Sequence, residues 1–97
     1  MSVEVTIRHM DSSDAIQNMA KERAASLQAD FAEIEFVRIV IDQDGPNYQT
    51  DVTVQGGRKM NAKGAEKLTD LIASLNGAFD KVRTQLRKQT EKRQETR

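Results

Sequence analysis

The side chains best suited to bind a ligand are cations, and they concentrate at the C-terminal end of the chain. Residues 81–97 contain seven Lys or Arg against two Glu, whereas residues 1–50 contain four Lys or Arg against nine Asp or Glu. The 97 residues together carry no formal net charge, so the sequence describes a dipole with one basic end. Basic ends commonly bind phosphate, and the alternative is a solvated helix end that its charges keep soluble.

Catalytic chemistry has few candidate residues in this sequence. The chain contains no cysteine, which excludes a thiol nucleophile, a disulfide framework and a thiolate metal site. His9 is the only histidine, and the sequence assigns it neither an acidic partner nor a nucleophile, so an incidental surface histidine is the better interpretation. We therefore expect no enzymatic activity, no cofactor and no metal site.

Two short motifs resemble ligand-binding loops but are better explained as turns. Asp42 and Asp44 have the spacing of the first calcium ligands in an EF-hand loop, but Pro46 follows and the later ligands are absent. Gly56-Gly57 precedes a predicted strand instead of a helix N-terminus, so it does not predict a phosphate cradle. We expect these glycines to supply the positive φ angles of a two-residue hairpin.

Hydrophobic periodicity predicts a strand, a helix and a second strand in the first half of the chain. Alternation over residues 3–7 is typical of a strand with one buried face. The pair Ser12-Ser13 precedes an apolar stripe at helical spacing, which predicts an N-capped helix over residues 14–30. The β-branched run over residues 36–41 predicts a central strand.

The second half predicts two more strands and a second helix. Turn residues at 44–47 end the central strand, and alternation resumes over residues 48–55. After the glycine hairpin we expect a short edge strand over residues 58–63, whose three cations discourage edge-to-edge pairing. A second helix begins near Thr69, and its apolar stripe ends at Leu86.

The predicted order of elements is β-α-β-β-β-α, which is an α+β fold. The first helix is a crossover connection that joins two parallel strands, whereas short turns make the other strand pairs antiparallel. Each helix has one apolar face, so we expect both to pack on one face of a four-stranded mixed sheet. The predicted organisation is a single domain over residues 1–93 and a polar tail over residues 94–97.

The cations of the two helices flank the predicted apolar faces. At the spacing of the second helix, one stripe contains Lys67, Lys81, Lys88 and Lys92. The opposite flank contains Arg83 and Arg87, and these flanking cations either bind phosphates or only border the core. Aromatic residues make up 4% of the chain, so backbone and shape recognition of a nucleic acid suits it better than base stacking. The candidate phosphate-binding residues are Arg23, Lys81, Arg83, Arg87, Lys88 and Lys92.

Several segments, taken in order, resemble one known family, the ribosome hibernation-promoting factors and ribosome-associated inhibitors. Those segments are residues 5–16 with Leu27 and Phe31, residues 51–54, the pair Gly56-Gly57, and residues 70–76 with 79–82 and 85–86. The resemblance covers about residues 3–93, and the order and spacing of the motifs together make it specific.

The resemblance implies a domain similar to double-stranded-RNA-binding domains, with a function in translation. Members of this family bind the small ribosomal subunit in the mRNA channel, across the A- and P-site tRNA positions, and repress translation in stationary or stressed bacteria. Short members act with a ribosome modulation factor to pair ribosomes, and this chain resembles a short form. The family's rRNA contacts come largely from basic residues on both helices, and Arg23, Lys81 and Lys88 stand at matching positions.

We therefore expect a cytoplasmic ribosome hibernation factor without enzymatic activity. Its expected partners are small-subunit rRNA and 70S ribosomes, with a ribosome modulation factor as a further partner, and we expect a monomer away from the ribosome. We expect no membrane association, because no apolar run approaches the roughly 20 residues of a membrane span. The alternative is a protein–protein interaction module that uses the polar C-terminal helix without binding RNA.

Two expectations concern the surface itself. Arg23 is expected to approach the second helix and to extend its basic flank into one continuous surface, while the acidic residues of the first half face away. Lys81 and Lys88 are expected to be exposed, so that reversing both charges severely weakens ribosome binding without unfolding the protein. The same change at Lys21, away from the packed face of the first helix, is expected to matter less.

Overall fold

The chain folds in the order that its hydrophobic pattern predicts. The computed structural model describes the backbone of residues 1–95 and the side chains of residues 1–91, so residues 96 and 97 of the predicted polar tail lie outside it. The elements are β1 (Ser2–Arg8), α1 (Asp14–Asp30), β2 (Ile34–Asp44), β3 (Asn47–Gly56), β4 (Asn61–Leu68) and α2 (Leu71–Glu95). The predicted order β-α-β-β-β-α is confirmed.

The four strands form one mixed sheet in the order β1-β2-β3-β4. The first two strands are parallel, with Val5 beside Ile39, because α1 carries the chain back to the end of the sheet where β1 began. The other two pairs are antiparallel across short turns. The last strand, β4, therefore lies at an edge of the sheet, as predicted.

Side-chain caps define where both helices begin. Ser13 Oγ accepts a hydrogen bond from the backbone N–H of Ile16 at 3.1 Å, and Asp70 Oδ1 accepts one from the N–H of Ala73 at 3.0 Å. Each bond satisfies an N–H group that the first turn of a helix leaves without an internal partner. Both caps lie at the same end of the sheet, so both helices run toward its opposite end.

The hydrophobic core lies on one face of the sheet, beneath both helices. Leu27 of α1, Ile39 and Val52 of the central strands, and Val82 and Leu86 of α2 are fully buried in a single cluster. The helices contact the strands and each other. This arrangement confirms the predicted two-layer packing, in which each amphipathic helix buries its apolar stripe against the sheet.

One buried pair of hydroxyl groups sets the rotation of α2 on the sheet. Thr50 Oγ1 and Ser74 Oγ lie 3.0 Å apart, and neither residue is exposed to solvent. Ser74 Oγ also donates to the carbonyl of Leu71 at 2.8 Å, so Thr50 donates to Ser74. Because a buried polar group without a partner is costly, this pair favours a single orientation of the helix.

The turn between β3 and β4 differs from its prediction. The positive φ angles belong to Arg58 and Lys59, at 57° and 61°, and not to the glycine pair. The strand β4 accordingly begins at Asn61 and not at Arg58. Gly56 meets a different requirement, because a Cβ there would lie 2.4 Å from the backbone oxygen of Glu33. The glycine permits close backbone packing, and the turn lies two residues further along the chain.

Side chains of α2 cover the outer edge of β4. The carboxamide of Gln85 accepts from the N–H of Lys63 at 3.0 Å and donates to its carbonyl at 2.6 Å. Gln89 binds the N–H and carbonyl of Asn61 at 3.4 and 2.5 Å in the same way. The distance between the two glutamines along α2 matches the distance between their two partners along β4, because four helical residues rise about 6.0 Å and two strand residues about 6.6 Å. Each glutamine therefore takes the place of a residue on a fifth strand.

Replacing both glutamines, Gln85→Ala with Gln89→Ala, is expected to lower the free energy of unfolding by about 1–2 kcal/mol. The loss is moderate because water replaces the carboxamides at this exposed edge. The uncovered N–H and carbonyl groups are also expected to promote self-association through β4. Urea unfolding and light scattering at increasing protein concentration measure the two effects. Gln55→Ala, at an exposed position of β3, is the control, and an equal change in that variant would contradict the prediction.

The face of the sheet away from the helices carries charges in pairs. Arg38 Nε lies 3.4 Å from Oε1 of Glu4, and Lys67 Nζ lies 2.6 Å from Oδ2 of Asp44. The hydrogen bond from Lys67, together with its positive charge, lowers the pKa of the Asp44 carboxyl below its ordinary value. Arg38 and Lys67 therefore already have acidic partners, and they are weaker candidates for phosphate binding than the exposed cations of α2.

Candidate nucleic-acid interface

Helix α2 extends past the sheet that it packs on. Its 25 residues span about 37 Å, whereas the 8 residues of β4 span about 27 Å. Gln89 is level with Asn61, the first residue of β4, so the helix beyond Gln89 projects from the end of that strand. The protein is accordingly elongated, with extents of 48, 22 and 17 Å along its three principal axes. The C-terminal end of α2, from Arg87 onward, is the basic segment and lies at one end of the long axis.

Arg23 and Arg83 lie in the groove between the two helices. Arg23 Nε donates to Oδ1 of Asn76 on α2 at 2.8 Å, which confirms the expected approach of Arg23 to the second helix. Arg83 forms an ion pair with Asp30 at the end of α1, and 28% of its side chain is exposed. These two guanidinium groups fasten α1 to α2, and the charge of Arg83 is already balanced.

The Arg83–Asp30 ion pair corrects one expectation about charge. The acidic residues of the first half were expected to face away from the basic surface, but Asp30 lies in the groove beside the cations of α2. The two residues are 53 positions apart in the chain, so no local pattern indicates their contact. The groove between the helices is therefore less positive than the count of its cations suggests.

Lys81 is bound to the edge strand. Its Nζ donates to the carbonyl of Ala65 at 2.7 Å and lies 2.9 Å from Oε2 of Glu66. Lys81 continues the row of Gln85 and Gln89 along β4, four positions before the first of them. Lys81 is exposed, as expected, but it already has a carboxylate partner, so its substitution removes contacts within the fold as well as a surface charge.

Arg87 and Lys88 are the α2 candidates, among those with described side chains, that are unbound. Both side chains are exposed, and among the described side chains neither has a hydrogen-bond or ion-pair partner. Arg23 on α1 also lacks a carboxylate partner among the described side chains, but its guanidinium donates to neutral Asn76. Arg87 follows Arg83 by one helical turn on the α1 side, and Lys88 follows Lys81 by two turns on the β4 side. An anion at this end of α2 therefore meets a cation on either flank. The side chain of Lys92, the sixth candidate, lies outside the described residues.

Arg58 and Lys59 bring two further cations to the same end of the molecule. They form the tip of the β3–β4 turn, next to Asn61, which Gln89 binds. Both are exposed, and neither has a carboxylate partner among the described side chains. Sequence reasoning placed them in the edge strand and missed this position. The alternation of buried Met60 and Ala62 with polar neighbours is the signal that marks the true start of the strand.

His9 has an acidic partner that the sequence left unassigned. Its Nδ1 lies 2.7 Å from Oδ1 of Asp42, and 74% of the His9 side chain is exposed. Among the described residues no third side chain hydrogen-bonds to this pair. The pair lies where β1 and β2 end, at the opposite end of the sheet from the basic segment. The pair is therefore separate from the candidate interface.

The described residues include no helix that is both long and apolar enough to cross a membrane.

The fold and the sequence together match one protein family. The family model described as Sigma 54 modulation protein / S30EA ribosomal protein matches residues 3–94. The chain belongs to this family. Membership in the S30EA family confirms the resemblance that the sequence motifs indicated. The matched segment includes both helices and hence all six candidate cations.

Two solved structures share the S30EA fold of this chain over nearly their whole length. A ribosomal subunit interface protein from Coxiella burnetii aligns with a TM-score of 0.78 and 22% identity, over 94% of this chain and 99% of that one. The N-terminal domain of Protein Y from Thermus thermophilus aligns with a TM-score of 0.79 and 21% identity, over 91% and 98%. At these identities the likeness shows the fold. Among curated proteins, no relative matches this sequence.

Proposed function

We propose that this S30EA-family protein is a ribosome hibernation factor. In this proposal it binds small-subunit rRNA near the mRNA channel and the A- and P-site tRNA positions, and represses translation under stress or in stationary phase. The observation that carries the proposal is the projecting end of α2, where Arg87 and Lys88 are exposed and have no acidic partner among the described side chains, in a chain whose family is described as ribosomal. Unbalanced cations favour the dense phosphate charge of folded RNA.

The proposed mechanism is occupancy of a site, without catalysis. A protein bound across the mRNA channel excludes mRNA and tRNA from the same volume. Recognition rests on phosphate contacts and RNA shape, because stacking needs exposed aromatic rings and the one tyrosine, Tyr48, is half-buried. The dipole of the chain, acidic in its first half and basic at its end, orients the domain as it approaches the ribosome.

The six candidate cations take two different roles in this proposal. Arg23, Lys81 and Arg83 hold α2 against α1 and β4, and Lys81 and Arg83 already have carboxylate partners. The residues proposed to contact phosphate directly are Arg87, Lys88 and Lys92. The proposed partners are small-subunit rRNA and 70S ribosomes in the cytoplasm, with a ribosome modulation factor as a further partner and a monomeric protein away from the ribosome.

Sedimentation with purified small ribosomal subunits tests the proposal. The protein is expected to travel with the subunits at about 50 mM salt and to dissociate as salt rises, with roughly one unit of log–log slope for each neutralised phosphate. A protein that stays at the top of the gradient at low salt would show that the proposed function is wrong.

The salt series also distinguishes the interaction-module alternative. A protein partner held by apolar contacts would stay bound as salt rises. Within the described residues, the β4-facing flank of α2 is occupied by the edge strand as far as Gln89. A complex that forms with subunits but is insensitive to salt would therefore favour contact with a ribosomal protein over contact with rRNA.

A further inference from the structure

The β3–β4 turn holds two cations in a backbone conformation that suits neither of them. The N–H of Met60 donates to the carbonyl of Gly57 at 3.1 Å, which closes a four-residue turn around Arg58 and Lys59. Positive φ at both central residues, 57° and 61°, is characteristic of a type I′ turn. Asn-Gly is strongly preferred at these positions, because L residues with longer side chains are strained there.

Local packing does not explain why arginine and lysine occupy this turn. Both side chains are exposed, and neither has an ion-pair or hydrogen-bond partner among the described side chains. The left-handed conformation therefore destabilises the fold at two successive residues without a compensating contact. The property that these residues supply is positive charge on an exposed turn.

The turn lies beside the free end of the basic helix. Gln89 binds both backbone groups of Asn61, and Asn61 follows Lys59 by two residues. Arg87 and Lys88 directly precede Gln89. The same hydrogen bonds that cover the β4 edge thus hold two cationic elements, the turn and the helix, at one end of the molecule.

We propose that Arg58 and Lys59 form a second phosphate-binding element, which grips the sugar–phosphate backbone of folded RNA together with Arg87 and Lys88. The inference rests on the proposed function and adds to it a second contact with RNA, so that the β3–β4 turn and the end of α2 both bind phosphates. Backbone phosphates are the matching ligand, because an exposed turn and a helix flank present charge without the aromatic surfaces that base stacking requires. The strained turn is retained for binding at the expense of stability.

The double substitution Arg58→Asn with Lys59→Gly relieves the backbone strain and removes both charges. It is therefore expected to raise stability and to weaken binding, so the two effects can be told apart by their opposite signs. The variant is expected to melt about 4 °C higher than the wild type. It is expected to bind purified small ribosomal subunits roughly tenfold more weakly at physiological salt, with a log–log salt slope smaller by about two units. Opposite signs for stability and binding exclude unfolding as the cause of the weaker binding.

Two control variants test whether the position of the charges, and not the net charge of the protein, controls binding. Arg8→Gln with Lys21→Gln removes the same net charge from exposed positions away from this end and is expected to bind nearly as the wild type does. Arg58→Lys with Lys59→Arg keeps both charges and is expected to keep wild-type affinity.

The outcomes separate this inference from the proposed function. Wild-type protein that binds subunits, with unchanged binding of Arg58→Asn/Lys59→Gly, overturns the second element and leaves the function standing. Equal loss in the Arg8/Lys21 control also overturns it, because net charge and not position would then control affinity. Wild-type protein that binds no subunits overturns the function and the inference together.

Discussion

Reversing the two unbalanced charges of α2, with Arg87→Glu and Lys88→Glu, is expected to weaken binding to small ribosomal subunits roughly 100-fold at physiological salt. Each substitution removes a cation that contacts phosphate and adds an anion that phosphate repels. Stability is expected to change by no more than about 0.5 kcal/mol, because both side chains are exposed and neither has a hydrogen-bond or ion-pair partner among the described side chains. Titration of labelled protein with purified subunits measures affinity, and thermal melting measures stability.

The matched control for this experiment is Arg8→Glu with Lys21→Glu. It changes the net charge by the same amount at exposed positions outside the basic end. Equal loss of affinity in both variants would contradict the assignment of the site to α2. Lys81 is unsuited to this comparison, because a carboxylate at that position would face Glu66 and lose the bond to Ala65, so that stability and binding would change together.

Gly64→Ala is expected to destabilise the protein strongly, because this glycine of β4 packs directly against the backbone of α2. A Cβ on Gly64 would lie 2.6 Å from the carbonyl oxygen of Ala78 and 3.0 Å from Cβ of Lys81. The first of these atoms is helix backbone, which relaxes only if α2 moves away from β4. We expect a loss of about 3 kcal/mol in the free energy of unfolding and a fall of roughly 15 °C in Tm.

Gly57→Ala is the control for this substitution. A Cβ there approaches only the flexible end of Glu35, at 3.9 Å, and the φ of Gly57 is not positive. Its Tm is expected to stay within a few degrees of the wild type. Equal melting temperatures for Gly64→Ala and the wild type would show that α2 does not pack on β4 as closely as described.

The sequence determined the elements and their order, because these depend on local patterns. Period-two alternation marks strands and helical spacing marks helices, so residues 14–30 were predicted as the helix that forms. Serine before that apolar stripe predicted the cap that Ser13 provides. The length of the connection then decided which strands are parallel. Most of the fold and the basic character of α2 therefore follow from neighbouring residues alone.

The position of the β3–β4 turn was decided by tertiary contact. Glycine favours positive φ, so the pair at 56–57 was the reasonable choice from sequence. The fold instead uses Gly56 for close approach to the backbone of Glu33, and the turn forms at Arg58 and Lys59. A requirement set by a residue more than 20 positions away has no local signature.

The division of the cations into paired and unpaired side chains was likewise a tertiary outcome. Helical phase correctly placed Lys81 and Arg83 on opposite flanks of α2. It did not show that Arg83 meets Asp30 or that Lys81 meets Glu66, because those partners come from elements that only packing brings together. Phosphate binds best to cations that have no carboxylate nearby. Whether a cation is of this kind depends on which acidic groups the folded chain places within a few ångströms of it.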